Sequence, residues 1–274
     1  MDLLAMLPLS ETDRQGIITS SPPSWIDDED WYVKSQRAKA EAYNSSPGTL
    51  TGIDCPVCLN RGDIMVCNDE GDVSVKICKC MAQRRSLRYM ERSGLAQVLD
   101  IYTWDAWQED EPWQKAYREM AQDYAQHPSG WFFAAGKPGT GKTHICTAIC
   151  GDLLRQGKEV RYILWRDFST KAKAAINDEE AYRDLLDPVK RVPVLYLDDL
   201  FKTGKGQEPT TGDVNLAFEL INARYADPTK LTIISSELPV AEIVDIDEAV
   251  GSRIYERAKA HYADLTGRQN WRMK

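Results

Sequence analysis

The sequence predicts an α/β domain, a parallel sheet flanked by helices around a phosphate-binding loop, preceded by a small metal-binding module and a helical N-terminal arm. Three observations carry this expectation. Apolar runs alternate with helix-length segments after Gly130, a glycine-rich loop joins the first run to a helix, and four cysteines form two close pairs upstream.

Residues 1–50 read as an arm with one helix. Ser20-Ser21-Pro22-Pro23-Ser24 and Ser45-Ser46-Pro47-Gly48 are breaker clusters that bracket a helix over about 28–43. Asp27, Asp28, Glu29 and Asp30 open it, and Lys34, Arg37 and Lys39 follow, the order a helix dipole favours. Trp31, Tyr32 and Tyr43 suit packing on its own domain or docking onto a partner protein.

Residues 51–94 form the metal-binding module and end in a basic helix. From Lys76 to Arg92 the chain carries Lys76, Lys79, Arg84, Arg85, Arg88 and Arg92 against Glu91 alone. Such a run is either a solvated face or a contact for phosphate or an acidic partner surface.

Residues 95–274 form the α/β domain. A helix is expected over 112–127, between Pro112 and Pro128. Strand-like runs follow at Trp131–Ala135, Val160–Trp165, Val192–Leu197 and Leu231–Ser235. Helix-like stretches lie near 142–156, 167–176, 179–187 and 213–226. Four such units imply a parallel sheet covered by helices.

Composition narrows the classes. The chain has 274 residues, 34 Lys plus Arg against 42 Asp plus Glu, and a net charge of −8, which disfavours a protein coated with nucleic acid while leaving room for a local basic face. Hydrophobic residues at 43% supply a core without disulfide staples. No apolar run approaches the ~18 residues of a membrane helix. The start, MDLLAMLPLS, lacks a positive n-region. Seven cysteines, an odd number without an export signal, argue for reduced thiols and a cytoplasmic protein.

Gly136-Lys137-Pro138-Gly139-Thr140-Gly141-Lys142-Thr143 fills every fixed position of G-x-x-x-x-G-K-[ST], after an apolar strand and at the start of a helix. Its glycines let backbone N–H groups turn towards phosphate oxygens, and the helix N-terminus adds partial positive charge. Lys142 is expected at the β- and γ-phosphates and the Thr143 hydroxyl on Mg2+. The loop and the following His144 form the expected nucleoside triphosphate set. Val194-Leu195-Tyr196-Leu197-Asp198-Asp199-Leu200 ends a buried strand in two carboxylates. Asp198 suits Mg2+ through water, and Asp199 suits polarising the attacking water. At the end of the next strand, Ser236 or Glu237 is placed to sense the γ-phosphate. Arg253, read alone, is a surface salt-bridge residue or an arginine acting in a neighbouring subunit's site.

Cys55-Pro-Val-Cys58 and Cys78-Lys-Cys80 offer four thiolates, with nineteen residues (59–77) between the pairs. Zn2+ prefers four sulfur or nitrogen ligands in a tetrahedron, so the spacing predicts a closed structural site, with Cys67 available to replace one ligand. Cys146 and Cys150, four apart on the helix after the phosphate loop, read as small core residues.

Taken together, these segments, with Met81, Arg84-Arg85, Ser93-Gly94-Leu95 and Gly251-Ser252-Arg253-Ile254, resemble the AAA+ ATPases and, within them, the DnaC/DnaI-type replicative helicase loaders, including phage-encoded ones. The likeness covers about residues 50–274. It implies ATP as the nucleotide, ATP–Mg2+ binding by Lys142 and Thr143, and service of metal and water by Asp198 and Asp199. It places Arg253 at the arginine-finger position, with Arg257 as the fallback and Arg268 or Arg272 as a second sensor. Glu237 stands where loaders usually show Asn, and Asp199 is shorter than the usual Glu, which predicts slower hydrolysis. The implied partners are a hexameric replicative DNA helicase, single-stranded DNA and further copies of the chain in a ring or spiral, with no membrane. Loaders resembling this one face DNA with helices placed where Lys171 and Lys173 fall. Two other readings remain open: a transposition-helper ATPase, and a protein that sequesters a helicase with little hydrolysis.

Overall fold

The structure, a computed structural model, describes residues 31–93, 96–204 and 206–271. The expected opening of the arm helix at 27–30, Gly94-Leu95 and Arg272 lie outside the described residues. The chain divides into two compact units, residues 1–85 and 86–274.

In the first unit, helix α1 (Trp31–Ser45) stops at the Ser-Ser-Pro-Gly breaker and packs on β1 (Asp63–Cys67). The Asn44 amide stands in for a neighbouring strand, donating to Met65 O at 2.8 Å and accepting from Met65 N at 2.9 Å. Tyr43 Oη donates to Asp63 Oδ1 at 2.9 Å, and the Arg61 guanidinium lies 3.7 Å over the Tyr43 ring. Strand β1 pairs antiparallel with β2 (Val73–Ile77). Between them Asn68 Oδ1 accepts from the Glu70 and Asp72 amides at 3.2 and 2.6 Å, an Asx-type turn. This hairpin goes beyond the sequence reading, although a turn-rich Asn-Asp-Glu-Gly-Asp between two alternating runs is its ordinary signature. Helix α2 (Cys80–Ser93) starts on Cys80, the last of the four paired cysteines.

The second unit continues with α3 (Ala96–Leu99) and α4 (Pro112–Gln126). Glu111 and Gln114 close a capping box around Pro112 at the first turn of α4. The expected alternation then appears: β3 (Trp131–Ala135), α5 (Lys142–Arg155), β4 (Val160–Leu164), α6 (Trp165–Ala174), α7 (Glu179–Arg191), β5 (Val194–Leu200), α8 (Thr211–Tyr225) and β6 (Leu231–Ser236). Helices α9 (Val240–Ile246) and α10 (Glu248–Ala258) and the short β7 (Tyr262–Asp264) complete it. The sheet is parallel, in the order β4-β5-β6-β3-β7. Strands β3, β5 and β6 are almost wholly buried, so they read as continuous apolar runs, as parallel strands do. Their C-terminal ends converge, and the Gly136 amide donates to Ser236 O at 3.0 Å.

Arg224 on α8 is fully buried and ties this unit together. Its guanidinium donates to Val189 O, Lys190 O and Val192 O at the end of α7, to Leu231 O, and to Thr232 Oγ1, at 2.7–3.2 Å. Burial pushes it down to about 10. Arg224→Met keeps the length but strands these acceptors. It is expected to cost on the order of 3–5 kcal/mol, read as a lower denaturant midpoint at unchanged slope.

Candidate nucleotide-binding site and cysteine cluster

Between β3 and α5 the chain makes the phosphate loop. Gly139 and Gly141 hold φ of 81° and 87°, where other residues are strained. A Cβ would also clash: at Gly139 it would sit 1.8 Å from Asn270 Oδ1, and at Gly141 2.4 Å from the Trp107 ring. The Trp271 amide donates to Gly139 O at 3.0 Å, so the end of the chain braces the loop. No side chain caps the N-terminus of α5, leaving its first-turn amides for an anion. Lys142 is buried; Nζ donates to Gly136 O at 2.5 Å and Lys137 O at 3.2 Å. Burial lowers its pKa, opposed by the carboxylates of Asp199 and Glu237.

These groups line a cavity of about 270 Å3, together with Thr143, His144, Lys202 and an aromatic wall. Asp199 lines it and Asp198 does not. Asp198 instead accepts hydroxyl bonds from Tyr196 at 2.8 Å, Tyr162 at 3.1 Å and Ser235. Burial pushes its carboxyl upward, against those bonds. Ser235 Oγ also accepts from the Asp199 amide at 2.9 Å. Of the two residues expected at the end of β6, Glu237 reaches the cavity. Ser236 donates to Leu200 O at 2.9 Å and accepts from the Leu238 amide at 3.1 Å. Strand period two would have grouped Ser235 with Glu237 and set Ser236 apart.

The aromatic wall was absent from the sequence reading. Tyr102, Trp107 and Trp271 come from segments without fixed spacing to the phosphate loop. His144 stacks on Tyr102 at 5.0 Å and meets Trp107 edge-on at 5.3 Å. Its Nε2 lies 2.8 Å from Thr103 O, and burial lowers its pKa. The cavity thus has a cationic, amide-rich end and an aromatic end, the two chemistries a nucleotide requires.

Arg253 and Arg257 on α10 do not line this cavity. Arg253 Nη1 donates to Ala249 O at 2.7 Å, and its guanidinium lies 5.4 and 5.5 Å from the Phe218 and Tyr225 rings. Arg257 donates to Pro228 O at 3.1 Å and lies 5.8 Å from the Trp131 ring. Arg268 lies 5.5 Å over the Trp113 ring. Lys173 pairs with Asp213 Oδ1 at 2.7 Å, while Lys171 is exposed.

In the first unit, Cys55, Cys58, Cys78 and Cys80 are buried with all four Sγ atoms within 4.8 Å of one another. Cys55–Cys78 and Cys58–Cys80 stand 3.7 and 3.6 Å apart. A tetrahedron with Zn–S of about 2.3 Å has S···S edges of about 3.8 Å, so the four thiols fit zinc. Cys67 is outside the group and donates to Asn68 O at 3.5 Å. The knuckle forms because Leu59 and Asn60 turn left-handed (φ 46° and 65°), bringing the Gly62 amide to Cys58 Sγ at 3.4 Å. A hydrogen bond with Cys78 pushes the Cys55 thiol down to about 5. Of the basic run expected to be a solvated face or a contact surface, Arg84 is neither. It is buried and holds the cysteine loop, donating to Thr51 O, to Ile53 O at 2.6 Å and to Asn60 Oδ1 at 2.9 Å. Cys146 and Cys150 are buried in the second unit, as expected of core residues.

A five-stranded parallel sheet with a phosphate loop after β3 and paired acids on β5 is the fold of a P-loop nucleotide-binding protein. The chain belongs to the IstB-like ATP binding protein family, which matches residues 78–269. It is 32% identical over 208 residues to the uncharacterized protein YqaM of Bacillus subtilis, covering 72% of this chain and 65% of YqaM, just under two thirds of that relative's length. It is 28% identical to the phage-like element PBSX protein XkdC of the same organism, over 76% of this chain and 84% of XkdC. It is 29% identical over 117 residues to the replicative helicase loader DnaC of Escherichia coli, covering 41% of this chain and 48% of DnaC. A crystal structure of the DnaC helicase loader superposes with a TM-score of 0.53 at 21% identity, over 62% of this chain and 99% of that one, a likeness of fold. The family match begins at Cys78, so Cys55 and Cys58 lie ahead of it. Among the described residues no helix is long and apolar enough to cross a membrane.

Proposed function

We propose that this chain is an ATP-switched loader that places a hexameric replicative DNA helicase on single-stranded DNA in the cytoplasm. The observation that carries the reading is one chain joining a nucleotide cavity to a four-cysteine cluster that begins ahead of the family match. The similarity to DnaC, itself a replicative helicase loader, supports the same choice.

The cysteine unit grips the helicase, and the ATPase units assemble with ATP, hold DNA and let go on hydrolysis. Lys142 and the α5 amides hold the phosphates. Thr143 and Asp198, the latter through water, are the residues to hold Mg2+, which when bound offsets charge on the phosphate oxygens. Asp199 orients a water for in-line attack on the γ-phosphorus. The bond from that phosphorus to the β,γ-bridging oxygen breaks, giving ADP and phosphate, and the water's proton passes to the carboxylate or the released phosphate. Arg253 of a neighbouring copy supplies positive charge to the transition state. The test is ATP turnover with the host's replicative helicase and single-stranded DNA. Stimulation by both is expected, and turnover indifferent to both would contradict loading and favour sequestration.

A transposition helper is the second reading, because the matched family is named for IstB. Such helpers generally lack a cysteine module of this kind, so zinc content separates the two. Cys55, Cys58, Cys78 and Cys80 are the residues to hold Zn2+, whose binding supplies folding energy on the order of 10–16 kcal/mol in small modules. One zinc per chain by atomic absorption is expected, falling to none in Cys58→Ser, with lost protease resistance confined to residues 31–85. A metal-free wild-type chain would contradict the loader assignment.

A further inference from the structure

Lys202 lies in no motif, yet among the described residues it is one of two lysines lining the cavity. Its Nζ sits 3.0 Å from Asp199 Oδ2 and 2.6 Å from Glu237 Oε1. The turn that aims it is unusual, since Asp199 and Phe201 hold φ of 55° and 61° without being glycine. Non-glycine residues in this region persist where the surroundings over-determine them, commonly at functional sites. Here Phe201 is buried edge-on to Trp165 at 5.6 Å, and the Lys202 amide closes the turn onto Asp199 O at 3.0 Å. Partial burial lowers the Lys202 pKa, but the bonds to Glu237 and Asp199 outweigh it and raise the ammonium above its ordinary value. Asp199 and Glu237 also stand close enough to Lys142 to oppose the lowering of its pKa by burial. A terminal phosphate entering between these groups meets two carboxylates, which repel it, and one ammonium already bound to both.

We infer that Lys202 reads the γ-phosphate: it pairs with Asp199 and Glu237 and transfers to the third phosphate when a triphosphate binds, freeing Asp199 to orient water. This rests on the ATP reading of the cavity and adds a discriminator between triphosphate and diphosphate. It also gives Glu237 a purpose at a position where a neutral residue would contact phosphate directly: it parks the lysine. ADP, gripped by the loop and Lys142, leaves both ion pairs of Lys202, to Asp199 and to Glu237, intact.

The test is the equilibrium affinity of the full chain for ADP and for the non-hydrolysable analogue AMPPNP, with Mg2+. Lys202→Met is expected to weaken AMPPNP about tenfold or more, the scale of a lost charged hydrogen bond, with ADP within twofold; Lys202→Arg restores most of the difference. Glu237→Gln is expected to move the ratio the other way, favouring AMPPNP, because it removes a competitor for the lysine. A loss of general site integrity would weaken both nucleotides in both variants. An unchanged AMPPNP-to-ADP ratio in Lys202→Met, or weaker AMPPNP selectivity in Glu237→Gln, overturns the inference while leaving the ATP site standing. A wild-type chain that binds neither nucleotide overturns the site reading and this inference together.

Discussion

Lys142→Ala is expected to abolish measurable ATP binding, a loss of about 10²–10⁴-fold by calorimetry. Hydrogen bonds to charged groups are worth about 1.5–3 kcal/mol each, and Lys142 is proposed to contact two phosphates. Among the described residues the lysines lining the cavity are Lys142 and Lys202, and Lys202 is paired with Asp199 and Glu237. Without Lys142 a triphosphate meets those carboxylates with one buried ammonium fewer to offset them. The fold itself should be spared. The Lys142 ammonium bonds only to carbonyls of its own loop, and holding a charge in a buried position already disfavours it. Near-wild-type thermal stability with no binding is the expected pair of results; tight binding by the variant would remove the phosphate-loop assignment.

Arg253→Ala should leave nucleotide affinity intact and remove stimulated hydrolysis by about 10³-fold or more, the scale of a lost arginine finger. This arginine is proposed to act between copies. Arg253 does not line its own chain's cavity; half-buried on α10, it lies against the Phe218 and Tyr225 rings of α8. Tyr225 is fixed in turn by its hydroxyl bond to Glu256 Oε2 at 2.7 Å. Arg257 is tied to Pro228 O and the Trp131 ring. Mixing supplies the decisive control. Lys142→Ala carries an intact Arg253, and Arg253→Ala carries an intact phosphate loop, so the mixture should recover turnover that neither variant shows alone. Stimulated turnover at the wild-type rate in Arg253→Ala would refute the finger.

Much of the fold was legible because its signals are local. Trp131–Ala135 is a strand with the bounds the apolar run suggests, and the loop after it has fixed spacing. The four cysteines were legible as two pairs, and their 3.6–3.7 Å separations agree with the tetrahedron that the spacing implied. What was not legible depends on distant segments meeting. β7 has three residues and owes its place to pairing with β3, too short for any periodicity. Tyr102, Trp107 and Trp271 form one wall only because the chain's end returns across the phosphate loop. Lys202 is an ordinary loop lysine until the turn at Asp199 and Phe201 points it inward. Arg84 was not legible either, since its charge is bound to Asn60 and backbone carbonyls inside the cysteine unit, and Lys173 pairs with Asp213, forty residues away in sequence.

The direct measurement of loading is mass photometry of the purified chain with its host's replicative helicase, with and without ATP and single-stranded DNA. A discrete complex heavier than the helicase hexamer, formed with ATP and dissolving when DNA and hydrolysis are allowed, is the predicted result. A complex that forms but ignores ATP and DNA would mean sequestration. No complex under any condition would contradict helicase loading and shift the function to another DNA-remodelling ATPase.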